Sequence, residues 1–176
     1  MRNTQYEFQT EEFTYEQFVE FSQFPENQER LFEFIDGFVY AMAAPTPVHE
    51  RISRFLMRKL EDFLAGKTCE PLTNIEVYFS KRNKQKNVLI PDILVNCDPK
   101  RINETGCDGA PEFIIEIVSP SSRLKDYHYK KEFYIRHGLY RWCGFHSRHG
   151  GYRRGIGGGG RRFHIGVDGR RRGDSR

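Results

Sequence analysis

The apolar positions in the first part of the chain predict an alternation of helices and strands. A first helix is predicted to begin near Thr14, where Gln17 stands three residues on in the spacing of a capping box. The segment LFEFIDGFVYAM predicts two short strands joined by a turn at Asp36 and Gly37. The segment PVHERISRFLMRKLEDFLAG carries apolar residues at i, i+3 and i+4 spacing, which predicts a long helix that ends at Gly66.

The same pattern continues towards the middle of the chain. Apolar runs around 75–80, 88–96 and 112–118 predict three strands, and a helix is predicted over 124–137, ended by Gly138. Helix, hairpin, helix, strands and helix together predict an α/β or α+β domain with a mixed central sheet flanked by helices.

The composition changes abruptly after Trp142. Residues 143–176 contain nine arginines, no lysine and eleven of the sixteen glycines, and no apolar periodicity. We therefore assign residues 1–142 to a folded domain and 143–176 to a Gly/Arg-rich tail, which such a composition predicts to be disordered. We favour the interpretation that the tail is translated out of frame, and a nucleic-acid-binding tail is the alternative.

Charge and cysteine content narrow the class of protein. The formal net charge is +4, but the tail contributes +7, so residues 1–142 carry −3. No window approaches the ~20 apolar residues of a membrane span, and the first residues lack a signal-peptide pattern, so we expect a cytoplasmic protein. The four cysteines have no CxxC spacing, so we expect reduced thiols and neither a zinc site nor a disulfide.

Three carboxylates lie in apolar strand patterns, where burial without a partner is costly. Glu116 lies within FIIEIV and Asp92 within VLIPDILV, where Pro91 predicts a bend or bulge. Glu33 lies between two phenylalanines in LFEFIDG. Two carboxylates on adjacent strands can hold a divalent cation, and Mg²⁺ needs only one or two of them. This pattern favours metal-assisted phosphodiester hydrolysis.

A basic cluster follows the Glu116 strand. Asp126, Lys130 and Tyr134 are spaced i, i+4 and i+8, so they share one helical face. A lysine there could orient a water molecule or stabilise added negative charge at a phosphoryl group. Each residue also has a simpler explanation: the carboxylates could face water or pair with a basic residue, and the lysines could form a solvated helix face. His49 could cap the long helix or lie near the site.

The order of these motifs resembles that of the putative restriction endonuclease family within the PD-(D/E)XK nuclease superfamily. The resemblance covers roughly residues 14–139 through FEFIDGFVYAMAAPTPVHERI, VLIPDILVNCD, GAPEFIIEIVSPSS and KDYHYKKEFYIRHGL. It implies a restriction-endonuclease-like fold and cleavage of DNA with Mg²⁺, for which Mn²⁺ can substitute. Asp92 and Glu116 match the metal-binding acids, and Glu33 matches a further catalytic acid.

The sequence departs from the superfamily pattern at Val118, where a lysine is expected two residues after Glu116. The resemblance places the catalytic lysine at Lys130, with Lys125 and Lys131 as alternatives. The family's C-terminal strand is not recognisable after Trp142, which favours the out-of-frame interpretation. A nuclease-fold protein without catalysis, binding nucleic acid or remaining as a truncated remnant, is therefore the alternative function. Because the domain is acidic, a basic DNA groove must be local or shared in a homodimer.

Overall fold

The computed structural model describes residues 12–80, 86–118, 129–139 and 141–146. The first seven elements are α1 (Tyr15–Gln23), β1 (Phe32–Ile35), β2 (Phe38–Ala41), α2 (Pro47–Leu64), β3 (Glu70–Thr73), β4 (Val77–Ser80) and β5 (Lys86–Leu89). There follow β6 (Ile93–Asn96), β7 (Cys107–Asp108), β8 (Phe113–Val118), α3 (Lys131–Arg136) and β9 (Trp142–His146).

Local signals account for the first elements. Helix α1 begins after Thr14, which forms the predicted capping box with Gln17. Strands β1 and β2 pair in an antiparallel hairpin, and the turn requires positive φ angles of 50° at Asp36 and 92° at Gly37. The hairpin and both N-terminal helices are therefore confirmed.

The predicted α+β fold with mixed strand pairing is confirmed, and its strands form two sheets. One sheet has the order β2-β1-β5-β4-β7 and the other has the order β3-β6-β8-β9, and each contains parallel and antiparallel pairs. The strand predicted over 88–96 is divided between them, because the chain leaves the first sheet after Leu89 and enters the second at Ile93. Pro91 lies at this crossing, where its missing N–H removes no ladder hydrogen bond. The predicted bend is confirmed.

The second sheet is covered on both faces. Ile93 and Ile115 pack with Leu56 and Leu60 of α2, whereas Leu94 and Ile114 belong to a cluster with the aromatic side chains of α3. Successive side chains of a strand point to opposite faces. Glu116 therefore faces the α3 side, in the direction of Ile114 rather than Ile115.

Strand β9 extends the second sheet past the expected domain end at residue 142. It pairs in parallel with β8 from Ile114↔Trp142 to Val118↔His146. A strand therefore lies at the start of the Gly/Arg-rich tail, where the sequence pattern did not reveal one. Residues 147–176 of the tail lie outside the described residues, as do residues 124–128 of the predicted last helix.

The expectation that all cysteines are reduced is wrong for one pair. Cys69 and Cys97 form a disulfide, while Cys107 and Cys143 are free. The antiparallel pairing of β3 with β6 sets Glu70 opposite Asn96, so the next residue outwards on each strand is a cysteine. Their proximity follows from strand register, which cysteine spacing alone does not reveal. Within the described ranges, no helix is both long and apolar enough to cross a membrane.

Candidate active site

A buried lysine joins two of the predicted acidic residues. The Lys130 Nζ atom lies 2.7 Å from Glu33 Oε1 and 3.1 Å from Glu116 Oε1. All three residues are almost inaccessible to solvent, with 0% exposure for Glu33, 2% for Glu116 and 3% for Lys130. Paired carboxylates and an ammonium offset much of one another's burial cost. Glu116 can therefore lie in the apolar run of β8, because the Lys130 ammonium compensates its negative charge.

Helix α3 presents a second donor to the same carboxylate. The Tyr134 hydroxyl donates a hydrogen bond of 2.7 Å to Glu116 Oε1. Tyr134 stands four residues after Lys130, so the two side chains lie on one face of the helical segment. This is the face that the sequence spacing predicted. Glu116 Oε1 thus accepts from both an ammonium and a neutral hydroxyl.

Glu33 reaches this cluster from the other sheet. It lies on β1, and its Oε1 atom also accepts a hydrogen bond of 3.0 Å from the backbone N–H of Ile90, next to the crossing between the sheets. Tyr40 lies directly opposite Glu33 in the hairpin. Burial, followed by the nearby charges of Tyr129, Asp36 and Glu33, raises the pKa of Tyr40. Its phenol therefore stays protonated at neutral pH.

Asp92 is held at the start of β6 by contacts from two elements. Its Oδ2 atom accepts a hydrogen bond of 2.5 Å from the Ile117 N–H of β8, and its Oδ1 atom lies 3.0 Å from His49 Nε2 of α2. Strands β6 and β8 pair with Ile93 opposite Ile115. Asp92 directly precedes Ile93, and Glu116 directly follows Ile115 on β8, so the two predicted metal ligands lie at the same end of this strand pair.

The donor set is compatible with a cation that keeps most of its water ligands. Mg²⁺ binds proteins through one or two carboxylates and keeps several water ligands, so Asp92 and Glu116 are side chains of the type it uses. Among the residues that the structure describes, no three His, Cys, Asp or Glu side chains form a cluster able to hold a metal ion. A cation held by these two residues would take its other ligands from water.

The other residues considered for the site do not take the position of Lys130 in the described part of the chain. Lys131, the alternative to Lys130, is only half-buried, and the ammonium between the two glutamates belongs to Lys130. Lys125 and Asp126 lie outside the described residues. Cys107 is no candidate nucleophile, because burial raises the pKa of its thiol to about 11 and a protonated thiol is a poor nucleophile.

Sequence reasoning left two contacts of this site unassigned. Tyr134 stands four residues after Lys130 and so shares its helical face. This spacing is the signal that could have added Tyr134 to the predicted site. The contact between His49 and Asp92 joins residues far apart in the chain, and no local spacing could reveal it. The backbone donors of Ile90 and Ile117 carry no sequence signal at all, since every residue except proline has an N–H.

The amino-acid sequence that carries these acids matches the model of a known protein family. The model of the Uma2 family, described as "Putative restriction endonuclease", matches residues 18–141. The chain belongs to this family. The Uma2 match includes all four predicted site residues: Glu33, Asp92, Glu116 and Lys130. The resemblance noted from the motifs is therefore confirmed.

Two known proteins are similar to this Uma2 chain. The uncharacterized protein slr1290 of Synechocystis sp. is 33% identical over 107 residues, which cover 61% of this chain and 55% of that protein. The chain thus spans about half the length of this curated relative. The crystal structure of a putative nuclease belonging to DUF820 from Anabaena variabilis has a TM-score of 0.55 and 20% identity, covering 67% of each chain. This structural likeness confirms the nuclease-like α+β fold.

Proposed function

We propose that this Uma2 protein is a Mg²⁺-dependent DNA endonuclease that hydrolyses phosphodiester bonds. The observation that carries the proposal is the buried Lys130 ammonium, held between Glu33 and Glu116 beside the strand position of Asp92. A buried ion cluster is costly to maintain, and clefts that hold buried, paired ionisable groups are frequent functional sites.

Each residue has a role in the proposed reaction. Asp92 and Glu116 hold the metal ion, and Glu33 fixes the Lys130 ammonium by its contact of 2.7 Å. Lys130 orients the attacking water or stabilises the negative charge that grows on the phosphoryl oxygens. The Tyr134 hydroxyl keeps the Glu116 carboxylate in one orientation. When bound, Mg²⁺, or Mn²⁺ in its place, polarises the phosphoryl group and lowers the pKa of a water molecule.

Cleavage of supercoiled plasmid DNA tests the proposal directly. We expect nicked and linear products with MgCl₂ or MnCl₂ and intact plasmid with EDTA. DNA binding without cleavage in either metal would instead favour the alternative of an inactive nuclease-fold protein. A lack of both binding and cleavage would reject both functions.

A local basic surface on α2 supports DNA as the partner. Arg51, Arg54 and Arg58 are exposed, and helical spacing places them on the side of α2 opposite Leu56 and Leu60. Within the described ranges these guanidinium groups form no ion pair. They extend over about 10 Å of the helix axis, on the face of α2 directed away from the His49 contact with Asp92. An acidic domain can therefore still present a local site for a phosphate backbone.

Removing these arginines should weaken DNA binding in a salt-dependent way. For the variant R51Q/R54Q/R58Q, we expect the slope of log K against log[salt] to fall by about 2.7, since each phosphate contact contributes about 0.9. The loss of affinity between 50 and 200 mM salt should then be about 40-fold smaller than for the wild type. Fluorescence anisotropy with a labelled duplex in EDTA measures both quantities.

The control variant is R30Q/K86Q/K100Q, which removes three exposed positive charges from other elements. Equal slopes in the two triple variants would contradict a specific role of α2.

A homodimer that offers two such helices to one duplex is the assembly we propose. The cytoplasmic location expected from the sequence is not proposed further, because the Cys69–Cys97 disulfide is a bond that persists mainly in oxidising compartments.

A further inference from the structure

His49 contacts the candidate active site but is not one of the four predicted site residues. Its Nε2 atom lies 3.0 Å from Asp92 Oδ1, and the two side chains are 19% and 14% exposed. The other Asp92 oxygen accepts from the Ile117 N–H. The carboxylate is therefore restrained from two directions, by an imidazole of α2 and by the backbone of β8.

The start of α2 fixes the position of the imidazole. Thr46 is the N-cap residue and Pro47 occupies the first turn, where its fixed φ favours the helix. The Thr46 hydroxyl accepts a hydrogen bond of 3.3 Å from the His49 N–H. Helix capping is thus performed by Thr46, so the alternative that the His49 side chain caps α2 is wrong. Its side chain is directed to Asp92 instead.

Glu50, the next residue on the same helix, competes only weakly with Asp92 for the His49 ring. Glu50 Oε1 lies 4.0 Å from His49 Nδ1, and the Glu50 side chain is 50% exposed. Exposed pairs at this distance contribute little, because water screens them and the side chain loses entropy. The shorter and more buried contact with Asp92 therefore determines the orientation of the ring.

We infer that His49 is a positioning residue, which donates from Nε2 to Asp92 Oδ1 and holds this carboxylate in the orientation that binds the metal ion. The inference rests on the proposed function, in which Asp92 is a metal ligand. Partners that orient metal-binding side chains typically account for 10–100-fold in metal affinity or activity. Without the imidazole, the Asp92 carboxylate can rotate about its Ile117 contact.

Mn²⁺ binding to the full chain without DNA tests the inference independently of cleavage. For His49→Leu we expect the dissociation constant, measured by EPR of free Mn²⁺, to rise by about 10–100-fold. His49→Gln should recover much of this loss, because its amide nitrogen can donate from a similar position. His137→Leu is the matched control, since the His137 ring is half-buried and stacks on Phe133. Its affinity should remain close to that of the wild type.

A second measurement detects the contact without any metal. The Nε2–H proton of His49 should be protected from exchange in NMR spectra of the wild type and lose this protection in Asp92→Ala. Unchanged Mn²⁺ affinity in His49→Leu, with affinity lost in Asp92→Asn, would overturn the inference and leave the proposed function intact. Unchanged Mn²⁺ binding in Asp92→Asn would instead reject Asp92 as a ligand, and the inference with it. Equal losses in both His49 variants, accompanied by a lower unfolding temperature, would indicate a structural role and overturn it.

Discussion

Asp92→Asn is expected to reduce metal-dependent DNA cleavage by about 10³-fold or more. A bound metal contributes several kcal/mol of charge stabilisation in the transition state, and each 1.36 kcal/mol corresponds to a factor of ten in rate. Asparagine keeps the shape of the side chain and can still accept from the Ile117 N–H, which donates to Asp92 at 2.5 Å. The substitution therefore removes the charge with little change in packing. Initial rates of plasmid nicking in MgCl₂ measure the effect.

Glu20→Gln is the control for this prediction. Glu20 is exposed on α1, and exposed substitutions of this kind usually change stability by no more than about 0.5 kcal/mol. Its cleavage rate should equal that of the wild type. Nicking by Asp92→Asn at the wild-type rate would show that the observed cleavage does not depend on this site.

Lys130→Met is expected to destabilise the folded protein by about 3–5 kcal/mol, the usual cost of removing one partner from a buried ion pair. Methionine fills a similar volume, but it leaves Glu33 and Glu116 buried without the ammonium that lies 2.7 and 3.1 Å from them. Urea unfolding followed by circular dichroism measures the change in free energy. We also expect cleavage to fall by about 10²–10³-fold, as for the loss of one stabilising donor.

A second substitution separates the electrostatic effect from lost packing. In Glu33→Gln/Lys130→Met one negative charge is removed together with the positive one, so much of the lost stability should return. Lys131→Met, at the neighbouring half-buried lysine, should cost clearly less and keep cleavage activity. If Lys131→Met abolishes cleavage and Lys130→Met does not, the assignment of the catalytic lysine is wrong.

Much of the candidate site could be predicted because its carboxylates interrupt apolar strand patterns. A glutamate inside FIIEIV and an aspartate after Pro91 are unusual in apolar strands, so both indicated a compensating partner. The i, i+4 spacing of Lys130 and Tyr134 also placed them on one face, and both contact Glu116. These inferences needed only local periodicity, which is a property of the sequence.

The features that the sequence did not reveal have a different cause. The division into two sheets, the Cys69–Cys97 disulfide and strand β9 all depend on which strands become neighbours. Strand β9 pairs with β8 although its sequence WCGFH has little strand-like alternation. Strand propensity is weak compared with the packing of neighbouring strands, so the tertiary structure determines such a segment.

The sequence by itself determined most of the helices and strands and the acids within them, because burial and periodicity are encoded locally, whereas Lys130 was chosen among three lysines through the family resemblance. Only the tertiary structure decided which groups meet. Glu33 reaches the site from one sheet and Glu116 from the other, and Lys130 joins them. His49 meets Asp92 across 43 positions of the sequence. Contacts between distant positions depend on register and on the crossing at Pro91, and no spacing along the chain specifies them.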